Sequence, residues 1–130
     1  MSNVNGNVPR LDQRKKIGHY GEKLAMEAYE ALGYQTIERQ FRCRFGEIDL
    51  ILRKDHTLYF VEVRTKTSLA FGTAEESVHR DKQQTIRRVS ECYLQQYSNQ
   101  KHDAVQFDVV CIYINKRKRT AQLYRYEQAF

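Results

Sequence analysis

The sequence predicts one α/β domain in which helices flank a central mixed sheet. Three observations carry this. Apolar residues recur at helical spacing over 17–32 and again over 80–97. Two β-rich runs, 47–53 and 57–65, stand on either side of Lys54-Asp55-His56 like the arms of a hairpin. A continuous apolar run, "AVQFDVVCIYI" (104–114), reads as a strand buried on both faces. With 130 residues, the chain has the size of one domain and can bury a core without metal or disulfide staples.

Taken in order, residues 1–14 are polar, hold the one proline and read as a flexible tail, which leaves 15–130 as the folded domain. In the first helix Ile17, Tyr20, Leu24, Ala28 and Leu32 form the expected core stripe, and Gly33 stops the helix as a C-cap. Gly18 and Gly21 fall in its first turns, where each costs about 1 kcal/mol relative to Ala. Either that helix start is frayed, or something approaches its backbone closely. "YQTIERQFR" (34–42) is the first strand, and the hairpin follows. The second helix, 80–97, buries Ile86, Val89 and Tyr93. After the strand at 104–114, "KRKR" (116–119) is a basic turn and "TAQLYRYE" (120–127) a last strand, giving the order α-β-β-β-α-β-β. No internal repeat or linker interrupts it.

The composition narrows the function classes. A net charge of +6 with pI near 9.3 suits either a polyanion partner or a merely basic soluble protein. Cys43, Cys92 and Cys111 are odd in number and lack ligand spacing, which speaks against a disulfide framework or zinc site and for a reducing cytoplasm. The N-terminal stretch lacks the apolar run of a secretory signal, and no run of 18 apolar residues suggests a membrane span.

The chemistry-bearing residues lie in "GEIDLILRKDHTLYFVEVRTK" (46–66), where Asp49 and Glu62 interrupt apolar strands. Strand side chains alternate between faces. A two- or four-residue turn, or one bulge, puts the two acids on one side of the sheet, whereas a plain three-residue turn puts them on opposite sides. If they meet, their repulsion raises the pKa of one unless a cation lies between them. A divalent ion such as Mg²⁺ takes one or two carboxylates plus waters and phosphate oxygens. Gly18, Glu22, Ala25 and Tyr29 form a stripe beside the core stripe, so Glu22 can reach the same place if that stripe faces the hairpin. The other reading is a ladder of acids paired with basic residues on neighbouring strands. Asp108, within an apolar strand, reads as a buried, paired structural acid. His19, His56, His79 and His102 are scattered and read as surface residues.

The ordered set "GHYGEKLA…ALGY…FRCRFGEIDLI…FVEVRTK", then "SVHRDKQQTI" and "FDVV", resembles the YraN family of small, uncharacterised bacterial proteins, from about Ile17 to the C-terminal "YEQAF". That family is similar to the PD-(D/E)XK nuclease superfamily, whose restriction-endonuclease-like core, α-β-β-β-α-β, also occurs in archaeal Holliday junction resolvases. The resemblance implies that Asp49 and Glu62 hold Mg²⁺ or Mn²⁺, with Glu22 the acid on the first helix. Gln84 matches a polar residue that some members place near the metal. Two departures stand out. Ile48 replaces the motif's Pro, which touches no chemistry. Arg64 replaces the usual Lys; a guanidinium stays protonated and cannot act as a base, though it can hold phosphate. Lys66, two residues on, offers an ammonium on the same face.

The expectation is a metal-dependent endodeoxyribonuclease with Glu22, Asp49, Glu62, Arg64 and Lys66 in its active site. Arg42, Arg44, Arg87 and the backbone at Gly18 and Gly21 are expected to meet nucleic acid without sequence preference. Branched DNA is among the candidate substrates and RNA stays open. A resolvase-like role calls for a homodimer, and a membrane partner is not expected. The alternatives are a nucleic-acid-binding protein that keeps the nuclease fold without turnover, and a scaffold for a protein partner.

Overall fold

The computed structural model describes residues 11–67, 79–98 and 101–130; the first ten residues of the expected tail lie outside these. Helix α1 spans Leu11–Ala31, followed by strands β1 (Gln35–Cys43), β2 (Gly46–Lys54) and β3 (Thr57–Lys66). Helix α2 (Arg80–Gln96) leads to β4 (Ala104–Asn115) and β5 (Thr120–Tyr126). The five strands form one sheet in chain order. β3 and β4 pair in parallel and the other neighbours are antiparallel. A parallel pair needs a crossover, and α2 supplies it. The α/β order read from the sequence holds throughout, consistent with a restriction-endonuclease-like core. No helix among the described residues is long and apolar enough to cross a membrane.

The sheet carries a core on each face. α1 packs Ala25 and Tyr29 on Leu50, Leu52, Val61, Val110 and Ile112. α2 packs Ile86, Val89 and Tyr93 on Phe41, Ile48, Ile51, Leu58 and Phe60. With both faces covered, Leu50, Ile51 and Leu52 are all buried in succession.

α1 corrects two expectations. It begins at Leu11 rather than after residue 14, since "LDQRKK" contains good helix formers and no breaker. Its buried stripe is Gly21, Ala25 and Tyr29, while Tyr20 and Leu32 of the expected core stripe are exposed. Close packing decided this over apolarity. A Cβ on Gly21 would overlap Thr65 Oγ1 and lie 3.0 Å from Thr65 Cβ, so the glycine lets the helix lie directly on β3. Two turns further on, the Tyr29 hydroxyl donates to Asp108 Oδ2 at 2.8 Å, which permits a phenol in the core. Gly33 ends the helix with φ of 92°, and the N–H of Tyr34 donates back to the carbonyl of Tyr29.

Candidate metal and phosphate site

The β2–β3 hairpin closes through a two-residue turn, Asp55-His56, with Lys54 opposite Thr57. This settles the register that the sequence left open. Pairing runs through Leu52↔Tyr59 to Leu50↔Val61 and stops there. One step further would set Asp49 opposite Glu62, but the strands fork at that point. β3 continues alongside β4 as far as Lys66↔Tyr113, while β2 turns away. The N–H of Val63 donates to Asp49 Oδ2 at 2.8 Å, so a side chain takes over where the ladder ends. On the other side of β2, pairing with β1 passes from Arg39↔Leu50 to Phe41↔Ile48 and skips Gln40. Gln40 has φ of 51°, a left-handed backbone that is costly for a side chain of this kind.

Both acids are therefore held at the mouth of the fork. Asp49 is pushed up to about 8, first by burial and then by the charge of Glu62. The Val63 N–H opposes the rise, while a hydrogen bond with Glu62 and the charge of Glu22 add to it. Burial and the neighbouring Glu62 charge thus favour the protonated form of Asp49 near neutral pH. Glu62 is buried and ion-paired at 3.5 Å with both Arg64 Nε and Lys82 Nζ. Lys82 comes from the first turn of α2, and the sequence reading missed it. The basic residue that reaches the acids from α2 becomes apparent only once the helix is docked.

Glu22 stands beside this pair without joining it. Its Oε1 accepts from Gln40 Nε2 at 3.0 Å, and Gln40 Nε2 also lies 3.5 Å from His19 Nδ1. Burial raises the Glu22 carboxyl, Gln40, His19 and Arg39 lower it, and Glu47 raises it. Glu22 acts on Asp49 through its charge, yet among the described residues no three His, Cys, Asp or Glu side chains are grouped closely enough to hold a metal. The donor set ready at the fork is two carboxylates. That fits a hard divalent cation completed by waters and phosphate oxygens, and it does not fit a closed protein cage. Lys66 is half-buried on the same strand as Glu62 and Arg64. Gln84, by contrast, is exposed.

The residues expected to meet nucleic acid are spread more widely. Arg42 is exposed and paired with Glu47 at 2.8 Å across the β1–β2 strands. Arg44 lies over the exposed ring of Phe45 in the turn between those strands, at 4.8 Å, and Arg88 of α2 lies over the same ring at 5.5 Å. Arg87 lies instead over Phe107 and Phe130. Gly18 has open space where a Cβ would be. Gly21 does not: Thr65 fills that space, so the close approach there is made by β3 and leaves no room for a phosphate.

Asp108 is the structural acid expected. It is fully buried and accepts from Tyr29, Gln106, Arg125 and the backbone N–H of Gln128. Arg125 also donates to the Tyr34 hydroxyl at 3.0 Å.

Residues 21–112 match the model of the uncharacterised protein family UPF0102. A UPF0102 protein of Caldicellulosiruptor bescii is 39% identical over 116 residues, covering 89% of this chain and 98% of that protein. One from Alkaliphilus oremlandii is 43% identical over 105 residues, covering 80% and 90%. One from Herpetosiphon aurantiacus is 45% identical over 84 residues, covering 65% and 68%.

Proposed function

The chain belongs to the uncharacterised UPF0102 family, as its resemblance to the YraN proteins implied, and from its own site we propose a divalent-metal-dependent endonuclease that acts on DNA. The observation that carries this reading is the placement of Asp49 beside buried Glu62 where the β2–β3 ladder ends. Glu62 has basic partners in Arg64 and Lys82, whereas buried Asp49 accepts a backbone N–H and lies beside the Glu62 charge. Burial and that charge disfavour ionised Asp49, and a cation relieves both.

Mg²⁺ or Mn²⁺ bound there would supply an activated water and neutralise charge on the scissile phosphate. Asp49 and Glu62 would hold it, and Glu22 would deepen the negative potential from α1. Arg64 and Lys82 hold Glu62 in place and present positive charge to phosphate oxygens. Lys66 is the ammonium nearest along β3 for orienting phosphate or water. Recognition through the backbone or the branched shape of DNA fits a surface whose arginines carry no base-reading arrangement. The cytoplasm is the matching location.

A second reading is a DNA-binding protein without turnover. It is favoured by the two cations already on Glu62 and by a guanidinium, unable to act as a base, at Arg64. Incubation with branched and linear DNAs, with and without Mg²⁺ or Mn²⁺, separates the two. Metal-dependent cleavage by wild type that is lost in Asp49→Asn supports the enzyme. Binding without cleavage selects the second reading, and neither binding nor cleavage rejects both.

A further inference from the structure

Three features outside the carboxylate site converge on one place. Cys43 ends β1 and pairs with Gly46 across the turn. That turn lies tightly on α2: a Cβ on Gly46 would come 3.0 Å from Thr85 Cγ2 and 3.5 Å from Val89 Cγ2. Thr85, Val89 and Cys92 are spaced by four and three, so they lie along one face of the helix. The same face therefore brings Cys92 to Cys43. Their side chains are hydrogen-bonded, and both are half-buried at the edge of the α2 core. Residues 49 apart in sequence, with no motif to connect them, form a dithiol.

We propose that Cys43 and Cys92 are a modification site: a dithiol that hydrogen peroxide, or another peroxide of similar size, converts to an intramolecular disulfide. The roles of the two sulfurs are unequal. Burial pulls the Cys43 thiol upward. The N–H groups of Phe45 and Gly46, the Cys92 thiol and the charge of Arg44 outweigh it and leave Cys43 below its ordinary value. The hydrogen bond to Cys43, and then burial, hold Cys92 above its own. Cys43 is thus the thiolate that attacks and Cys92 the thiol that resolves.

The Cys43 sulfur attacks one peroxide oxygen. The S–O bond forms, the O–O bond breaks, and the leaving hydroxide takes up a proton as water. Cys43 is then a sulfenic acid. The Cys92 sulfur attacks it, the S–S bond forms, the S–O bond breaks, and hydroxide leaves with the Cys92 proton as a second water. Two thiols lose two electrons to one peroxide. The product ties the turn bearing Arg44 and Phe45 to α2. None of the carboxylates takes part, so the dithiol stands apart from the nuclease reading.

The test treats the reduced full-length protein with hydrogen peroxide, alkylates what remains and maps the peptides by mass spectrometry without reduction. The expected product is the Cys43–Cys92 cross-linked peptide, with Cys111, which is buried, unmodified. In Cys92→Ser, dimedone should trap a sulfenic acid at Cys43. In wild type at neutral pH, iodoacetamide should label Cys43 roughly tenfold faster than Cys92. Wild type alone suffices if a variant does not fold. A disulfide between chains, or no cross-linked peptide after peroxide, overturns the proposal. So does equal labelling of the two thiols.

Discussion

The backbone N–H of Val63 donates to Asp49 Oδ2 at 2.8 Å, and that bond stands where the β2–β3 ladder would otherwise have continued. Next along the two strands, Leu50 and Val61 pair normally and are fully buried. The fork is therefore built by an acid that replaces a ladder bond, and the replacement keeps Asp49 against Glu62.

Such a pair makes stability depend on pH and metal. The folded-state pKa of Asp49, about 8, lies above its unfolded value of about 3.9, so between these limits the folded chain binds more protons. Metal-free stability should fall as pH rises from about 4 to 8. Mg²⁺ or Mn²⁺ at about pH 8 should raise the melting temperature of wild type. Asp49→Asn should flatten the pH dependence and remove the metal effect. Thermal unfolding of both proteins across pH, with and without metal, measures this. A wild-type melting temperature that rises with pH over this range would refute the assignment.

Asp108 is a buried acid of the opposite kind, fully paired. Asp108→Ala takes the buried carboxylate from Arg125, which lies among the rings of Tyr29, Tyr34 and Tyr59, and leaves it the exposed Glu127 at 3.4 Å. Breaking a buried pair from one side costs about 3–5 kcal/mol. Tyr29→Phe, which removes one donor to the same carboxylate, should cost about 1–3 kcal/mol. Urea unfolding gives both values, and a loss under about 1 kcal/mol for Asp108→Ala would mean that this network contributes little.

Gly21→Ala tests the contact between α1 and β3. On helix propensity alone, the change should stabilise by about 1 kcal/mol. Thr65 Oγ1 overlaps the new methyl, and Thr65 Cβ, which no rotamer moves, lies 3.0 Å from it. Overpacking of this kind costs about 1–3 kcal/mol. The net effect should be a lower melting temperature, partly restored in the Gly21→Ala, Thr65→Ala double variant. A stabilised single variant would show that α1 can lift from the sheet.

With Arg42 and Arg44 on phosphates, DNA affinity should weaken with salt, and each arginine taken away from a phosphate should reduce the slope of log K against log salt by about 0.9 for duplex DNA. Arg42→Ala, Arg44→Ala should show a shallower slope than wild type in fluorescence anisotropy. The Arg42–Glu47 pair is exposed and worth little, so it does not hold Arg42 back from a phosphate. An unchanged slope would remove both arginines from the interface.

By itself, the sequence determined the element order and placed the strand ends to within one residue. Alternation, helical spacing and turn residues are local signals, and they agree with the element order, although spacing on α1 picked Tyr20 and Leu32, which are exposed. It also determined which acids to watch, because a carboxylate in an apolar strand is conspicuous without any structure. The tertiary structure decided what pairing and packing control. A two-residue turn, rather than three, placed Asp49 and Glu62 together, since one residue of register moves a side chain to the other face. The space at Gly21 went to Thr65, and the buried face of α1 followed from that contact rather than from its most apolar residues. Lys82 reached Glu62, and Cys92 reached Cys43, only through the docking of α2, because contacts between distant segments depend on how helices lie on the sheet and leave no spacing in the chain.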